Sequence, residues 1–370
     1  MAELLRPGDR GRRLAAFSVN GRAIGPDQPV YIIAELSANH RQHEDVAIQL
    51  VHAAHEAGAD AVKLQTYTPD TITIESDAPS FRAGSGSLWE GTTLHDLYQE
   101  AYMPWEWQPG LKVLAESLGM DCFSSPFDPT AVDFLMTMDV PAFKVASFEL
   151  VDLPLIRRVA ETGRPLIMST GMATEAEIDE AVAAARSAGA TGIALLKCTS
   201  AYPSPPEAVN LRAIPAMVER WGLPVGLSDH TLGDVVAVGA VALGACIVEK
   251  HMTLSGDDTT PDSAFSLDKV GFRRMVEAIR VAELALGRPV VGPTDQEQES
   301  RRFRRSLFVV EDVAAGEPLT EANVRSIRPA DGLHTRHYEE VLGRRAARPI
   351  ERGTPLSWDL LETAEGQSAR

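Results

Sequence analysis

The chain is short of the residues that would place it in several common classes. Among 370 residues only three are cysteine. Cys122, Cys198 and Cys246 lack CxxC spacing, and each lies in or beside an apolar run, so they read as reduced, buried, structural thiols, with a reactive thiol at any one of them as the alternative. Basic residues are outnumbered: 35 Lys and Arg stand against 52 Asp and Glu, a formal net charge of -17. That excludes the basic footprint of a general nucleic-acid binder, although a cleft can still gather lysines around a small anion. No run approaches the roughly 18 apolar residues needed to span a membrane. The N-terminal "MAELLRPGDRGRRLAAFSVNG" lacks the apolar stretch of a secretory signal. A cytoplasmic globular protein is expected, with no nucleic-acid or membrane partner. Its 44% hydrophobic and 24% charged content fits that class.

What the sequence does contain is a long alternation of short β-rich runs and amphipathic helical segments. "VYIIAEL" precedes "HEDVAIQLVHAAHEAG", and "DAVKLQTY" precedes, after a long excursion, "WQPGLKVLAESLG". "DCFSSPF", "AFKVASF", "PLIMSTG", "IALLKCTS", "PVGLSDHT" and "CIVEKHM" each lead into a further helical stretch. Eight such units over roughly 250 residues have the size and rhythm of a (β/α)8 TIM barrel. A doubly wound open sheet is the alternative, but no glycine-rich phosphate fingerprint follows the first strand. The expected layout is an α/β barrel domain over residues 1–287 and a linker over 288–303. A small domain of short strands and Gly turns follows over 304–362, then a disordered tail over 363–370.

In a barrel the chemistry gathers at the C-terminal strand ends. Those ends carry Glu35, Ser37 and Asn39; Lys63 and Gln65; Ser124 and Ser125; Lys144 and Ser147; Ser169 and Thr170; Lys197, Thr199 and Ser200; Ser228, Asp229 and His230; and Glu249, Lys250 and His251. Polar residues after one strand suit any turn. Lysines flanked by apolar residues, as in "AVKLQ", "AFKVAS" and "LLKCTS", are harder to explain, because a buried unpaired ammonium is costly. Local ion pairs would account for them singly. Together they suggest a positive pocket for a phosphate or carboxylate, with a Schiff-base lysine as a competing use. His230 and His251 end neighbouring strands and are candidates either for structural hydrogen bonds or for a shared metal.

In order and spacing, "YIIAELSANH", "GADAVKLQTYTPDTITI", "FKVASFEL", "LIMSTGMAT", "LKCTSAYPSPP", "VGLSDHTLG" and "VEKHMTL" with "PDSAFSL" resemble the sialic acid synthase family, from about residue 16 to 362. "LFVVEDVAAGEPLTEANVRSIRPADGL" resembles the SAF, or antifreeze-like, domain that follows the barrel in that family. The family condenses phosphoenolpyruvate with an amino-sugar aldehyde. "LWEGTTLHDLYQEAYMPWEW" and "YTPDTITI" resemble the branch whose acceptor is 2,4-diacetamido-2,4,6-trideoxy-L-altrose. N-acetylmannosamine or the legionaminate precursor is the alternative acceptor. More remote readings are a Schiff-base pyruvate aldolase and a non-catalytic sugar-binding relative.

The resemblance implies a divalent metal, Mn2+ or Mg2+, at His230 and His251, and places Glu35, His230 and Glu249 among the catalytic groups. Lys63, Lys144, Ser147, Ser169, Ser200 and Ser228 match phosphoenolpyruvate-binding positions, and Lys197 joins them on chemical grounds. Gln65, Tyr202 and Asp262 match acceptor-binding positions. Arg328 matches an arginine presented to the partner subunit's site, which implies a homodimer with a domain-swapped SAF domain. Lys250 should point away from the site by strand alternation. Two departures from the family pattern are Arg41-Gln42, where a small Asn-Gly pair is common, and Thr259-Thr260, where glycines usually precede Pro261-Asp262. The threonines are expected to resist a left-handed backbone and so to leave the placing of Asp262 open.

Overall fold

The computed structural model of the chain describes residue 15 and residues 17–84, 90–256 and 259–362. The tail expected to be disordered, 363–370, lies outside the described residues. The chain divides into two compact units, Met1–Gly287 and Arg288–Arg370.

Eight parallel strands close the first unit into a barrel. They are β1 (Tyr31–Glu35), β2 (Ala61–Thr66), β3 (Asp121–Pro126), β4 (Phe143–Val145), β5 (Leu166–Ser169), β6 (Ile193–Cys198), β7 (Val225–Asp229) and β8 (Ile247–His251). Each pairs with its sequence neighbour, and β8 closes on β1 with His251 opposite Glu35. The strands are almost wholly buried, as expected where a lumen lies on one side and helices on the other.

The helices cover the outside. α1 (Glu44–Ala57) buries Ala47, Leu50, Val51 and Ala54, a stripe at helical spacing, and ends at Gly58, whose φ of 88° suits a left-handed cap. The excursion after β2 holds a helix that periodicity did not single out, α2 (Leu94–Ala101), before α3 (Gln108–Ser117). Next come α4 (Pro129–Thr137), α5 (Leu153–Ala160), α6 (Glu175–Ser187), α7 (Ala213–Trp221), α8 (Val235–Ala242) and α9 (Lys269–Leu286). Side chains fix several starts: Asp128 caps α4, Asp268 caps α9, and Thr174 with Glu177 forms a capping box on α6.

The N-terminal end of the barrel is tied by charge. Arg22 and Arg280 both reach Asp60, at 2.6 and 2.9 Å, and Tyr31 Oη donates to Asp121 at 2.6 Å. Such groups at this face serve stability, which leaves the opposite face for chemistry.

The second unit begins with 3-10 turns at Asp295–Glu297 and Glu299–Phe303. β9 (Ser306–Val309) then pairs antiparallel with β10 (Val324–Ile327) over a core that includes Leu307, Val309, Val313, Leu319 and Leu356.

Candidate active site

Four ionisable side chains meet inside the barrel. Strand pairing puts Lys63 beside Glu35, and Glu249 beside Ser228, all facing the lumen. Lys63 Nζ makes an ion pair with Glu35 Oε2, sits 3.4 Å from Glu249 Oε1 and donates to Ser125 Oγ at 3.1 Å. Lys144 Nζ lies 3.8 Å from Glu249 Oε1 and donates to Ser169 Oγ at 2.7 Å. All four charged side chains are at most 4% exposed. Burial pushes Glu35 up to about 7 against the pull of Lys63. Burial also pushes Glu249 up, but the ammoniums of Lys144 and Lys63 outweigh it and hold the carboxyl below its ordinary value. Burial lowers Lys144 despite Glu249. For Lys63 the attraction of Glu249 and Glu35 overcomes burial and raises it. The two lysines therefore differ, and Lys144 is the more readily neutralised ammonium.

A hydroxyl cradle lies beside this cluster. Ser147 Oγ and Ser200 Oγ are 2.8 Å apart, and the turn after β5 presses against both. That turn requires Gly171, at φ 47°: a Cβ there would stand 2.4 Å from Ser147 Cβ and 2.8 Å from Ser200 Oγ. Ser228 Oγ donates to Glu249 Oε1 at 3.4 Å. Two ammoniums and several hydroxyl donors around one space suit a phosphate or carboxylate.

Opposite them, Gln65 Nε2 donates to Glu35 Oε1 at 3.3 Å and to Ser37 Oγ at 3.0 Å. Ser37 takes a left-handed backbone, φ 42°, and this turns its amide onto Glu35 Oε1 at 3.0 Å. Strain of this kind in a residue other than glycine is characteristic of functional sites. Ser37 Oγ also donates to Asp262 Oδ2. Thr260 avoids the left-handed region, and Asp262 reaches the site without the glycines whose absence left its placing open.

The imidazole rings of His230 and His251 are 5.3 Å apart, and the Tyr202 ring packs 4.4 Å from His230. His230 Nδ1 lies 3.0 Å from the Thr199 carbonyl, which leaves Nε2 for another partner. His251 is buried, at 8% exposure, and its Nδ1 has no hydrogen-bond partner. Its nearest carboxylate, Asp262 Oδ2, is 3.8 Å away. Burial, then the positive neighbours His230 and Lys63, hold its imidazole well below the ordinary value. An imidazole held neutral at His251 with an orphaned nitrogen, beside the His230 ring, fits a divalent ion whose remaining ligands are oxygens. No group of three His, Cys, Asp or Glu assembles as a metal cage among the described residues.

Two placements, those of Lys197 and Cys198, differ from what the sequence suggested. Lys197 pairs with Leu227 while the lumen-facing Cys198 pairs with Ser228, so Lys197 stands on the outer face of β6. Its Nζ bonds the Cys198 carbonyl at 2.6 Å and Thr199 Oγ1 at 3.1 Å, away from Lys63 and Lys144. Cys198 is no inert core thiol. Burial raises it, but a hydrogen bond with His230 outweighs that and lowers it. Arg328 is exposed just beyond β10, in the C-terminal unit.

Sequence reasoning also passed over Glu149, which lies in the quoted "SFEL". Its Oε2 is buried without a partner, and burial pushes the carboxyl up to about 7 against Lys144 and Lys63. The signal was an acidic residue two positions after Ser147. Lys250 behaves as alternation requires. It points out of the lumen to Asp229 Oδ2 at 2.8 Å and to the Thr231 carbonyl, while Asp229 Oδ1 accepts from the Thr231 amide and hydroxyl at 2.9 and 2.8 Å. This clamp brackets His230.

Residues 50–290, more than half of the chain, match the NeuB family. The chain belongs to the NeuB family. Residues 304–362 match the SAF domain, so this NeuB family chain is a closed barrel followed by a C-terminal SAF domain. It is 46% identical over 337 residues to the pseudaminic acid synthase of Helicobacter pylori, covering 90% of this chain and 98% of that one. It is 33% identical to the N,N'-diacetyllegionaminic acid synthase of Legionella pneumophila, covering 93% and 98%. The crystal structure of spore coat polysaccharide biosynthesis protein SpsE from Bacillus subtilis superposes with a TM-score of 0.64 at 33% identity, covering 94% of this chain and 99% of that one.

Proposed function

We propose that the chain is a pseudaminic acid synthase. In this reading phosphoenolpyruvate, 2,4-diacetamido-2,4,6-trideoxy-L-altrose and water give pseudaminic acid and phosphate. The observation that carries the reading is the single lumen in which Lys63, Lys144 and the Ser147–Ser200 cradle face Glu35, Glu249 and the His230–His251 pair. The acceptor assignment is supported by this chain's greater similarity to the Helicobacter pylori synthase than to the Legionella pneumophila one.

C3 of phosphoenolpyruvate attacks the aldehyde carbon, and the aldehyde oxygen takes a proton to become a hydroxyl. C2, left with cationic character, gains water and releases a proton. The resulting tetrahedral carbon expels phosphate by cleavage of its C–O bond, leaving the 2-keto group. Three and six carbons become nine.

Lys63, Lys144, Ser147, Ser169, Ser200 and Ser228 hold the phosphate and carboxylate, with Gly171 admitting the cradle. Glu35, oriented by Gln65 and the Ser37 amide, directs the acceptor or the attacking water, and Glu249 stabilises charge near C2. Gln65, Tyr202 and Asp262 line the acceptor side. His230 and His251 would hold a divalent ion, Mn2+ or Mg2+, whose chemistry when bound is Lewis-acid polarisation of a carbonyl oxygen. A homodimer in which Arg328 serves the partner's site completes the reading, and the match of residues 304–362 to the SAF domain supports it. Three buried free cysteines support a cytoplasmic setting. No described helix is long and apolar enough to cross a membrane.

The test is phosphate release and product mass with three acceptors: the diacetamido-trideoxy altrose, N-acetylmannosamine and the legionaminate precursor. The altrose should give the largest kcat/KM by at least tenfold. Equal or greater turnover of another sugar would reassign the acceptor. No phosphate release from any of the three would end the synthase reading.

A further inference from the structure

One cavity at the rim of the barrel unit has no role in the chemistry above. It encloses about 290 Å3 and is lined by Arg41, Gln42, Glu100, Thr259, Thr260 and Pro261, with Ala38 at its edge. Its walls are the same two loops that carry the acceptor side of the site. Ser37, which bonds Asp262, immediately precedes Ala38, and Asp262 immediately follows Pro261. A molecule held at its carbonyl end near Glu35 and passing Ser37 and Asp262 meets this cavity next.

The walls are braced rather than loose. Thr260 Oγ1 donates to Asn39 Oδ1, and Asn39 Nδ2 donates to the Met252 carbonyl at 2.8 Å and to Ser266 Oγ at 2.9 Å. On the other side Gln42 Nε2 donates to the Glu100 carbonyl at 3.1 Å and to the Tyr102 carbonyl, which fixes the end of α2 against the loop after β1. Arg41 and Gln42 both hold left-handed backbones, φ 54° and 56°. For residues other than glycine this costs about 1–2 kcal/mol each. Two consecutive strained residues that supply a cavity wall are the pattern expected where the fold gives up stability to place side chains.

The lining mixes a guanidinium and hydroxyl donors, carboxylate and hydroxyl acceptors, and the apolar faces of Pro261 and Ala38. An acetamido group needs that combination: an acceptor for its N–H, a donor for its carbonyl and an apolar patch for its methyl. We propose that this cavity receives the acetamido group of the acceptor farthest from the aldehyde, with Arg41 and Thr259 as residues that determine specificity for a diacetamido over a monoacetamido hexose. The proposal rests on the synthase reading given above.

The experiment compares wild type, Arg41→Ala, Arg41→Lys and Thr259→Ala, with folding checked by circular dichroism. Each is assayed for phosphate release with 2,4-diacetamido-2,4,6-trideoxy-L-altrose and with a sugar lacking the 4-acetamido group. Arg41→Ala should raise KM for the diacetamido sugar at least tenfold while KM for phosphoenolpyruvate stays within twofold. Thr259→Ala should move it in the same direction by about threefold, and Arg41→Lys should fall between wild type and Arg41→Ala. The preference for the diacetamido sugar should shrink in the same order. If wild type turns over the diacetamido sugar and neither its KM nor the preference changes by more than twofold in Arg41→Ala, the subsite assignment is overturned and the synthase reading stands. If wild type releases no phosphate with that sugar, the reading itself falls and the subsite with it.

Discussion

β8 carries two buried charge clusters on opposite faces, and they differ in a telling way. Outward, Lys250 is fully satisfied: Asp229, the Thr231 carbonyl and the Thr231 donors on Asp229 form a closed set. Inward, Glu249 belongs to a set left open. Its Oε2 has no hydrogen-bond partner, nor has His251 Nδ1. Buried polar atoms are ordinarily paired, so orphaned ones mark where another molecule is meant to bind. The closed cluster shapes the strand ends, and the open one is available to substrate.

That contrast makes the two faces respond differently to mutation. On the open face, His251→Ala should reduce turnover on the order of 10^3-fold with Tm within a few degrees of wild type, because the imidazole gives up no hydrogen bond at Nδ1. Parallel activity and calorimetry runs check this, and a collapse of Tm with activity retained would reverse the assignment of faces. On the closed face, Lys250→Met strands Asp229 and should cost about 3–5 kcal/mol, a Tm fall on the order of 10 °C. Adding Asp229→Leu should recover most of it. A double variant no more stable than the single one would show that the pair is not a self-contained unit.

Between these lies the cradle. Gly171→Ala should raise KM for phosphoenolpyruvate about tenfold or more through the crowding at Ser147 and Ser200, while leaving the acceptor KM nearly unchanged; steady-state kinetics in both substrates separates the two. Titration sharpens the contrast further. In the metal-free protein two carboxyls, Glu35 and Glu149, should titrate near 7, seen by 13C NMR of labelled glutamate and removed one at a time by Glu35→Gln and Glu149→Gln. Their folded values lie above the ordinary 4.5. Between 4.5 and about 7 the folded protein therefore retains protons that the unfolded chain has released. Their contribution to stability is full below that window and is lost as pH rises through it. Midpoints near 4.5 would mean that the site is wetter than the structure implies. Cys198→Ser should be the mildest change, within about threefold in kcat, since a hydroxyl can keep the contact with His230.

Much of this was legible in the sequence, and the exceptions share a cause. The barrel showed because strand and helix periods alternate cleanly, as in "VYIIAEL" before the α1 stripe. Lys63 and Lys144 stood out as ammoniums within apolar runs, and His230 and His251 as neighbours across adjacent strands. Lys197 looked the same as those lysines and proved to face outward. A strand buried on both sides has no polar–apolar alternation to reveal which residues face the lumen. "LLKCTS" therefore could not say whether Lys197 or Cys198 points in. Gly171, and the backbone role of Ser37, were missed for another reason. Their contributions are backbone conformation and the space left by an absent Cβ, which become visible only once Ser147, Ser200 and Glu35 are in place. Glu149 follows a short strand inside a 3-10 turn, Glu149–Val151, where residue spacing gives no direction.

The central claim is that the open cluster condenses phosphoenolpyruvate with an aldehyde and breaks the C–O bond, not the P–O bond. The most direct measurement uses phosphoenolpyruvate carrying 18O in the bridging position, with the diacetamido-trideoxy altrose and Mn2+. Mass analysis should find the label in the released phosphate and a nine-carbon keto acid without it. Unlabelled phosphate, or a borohydride-trapped pyruvate adduct on a lysine, would contradict the account.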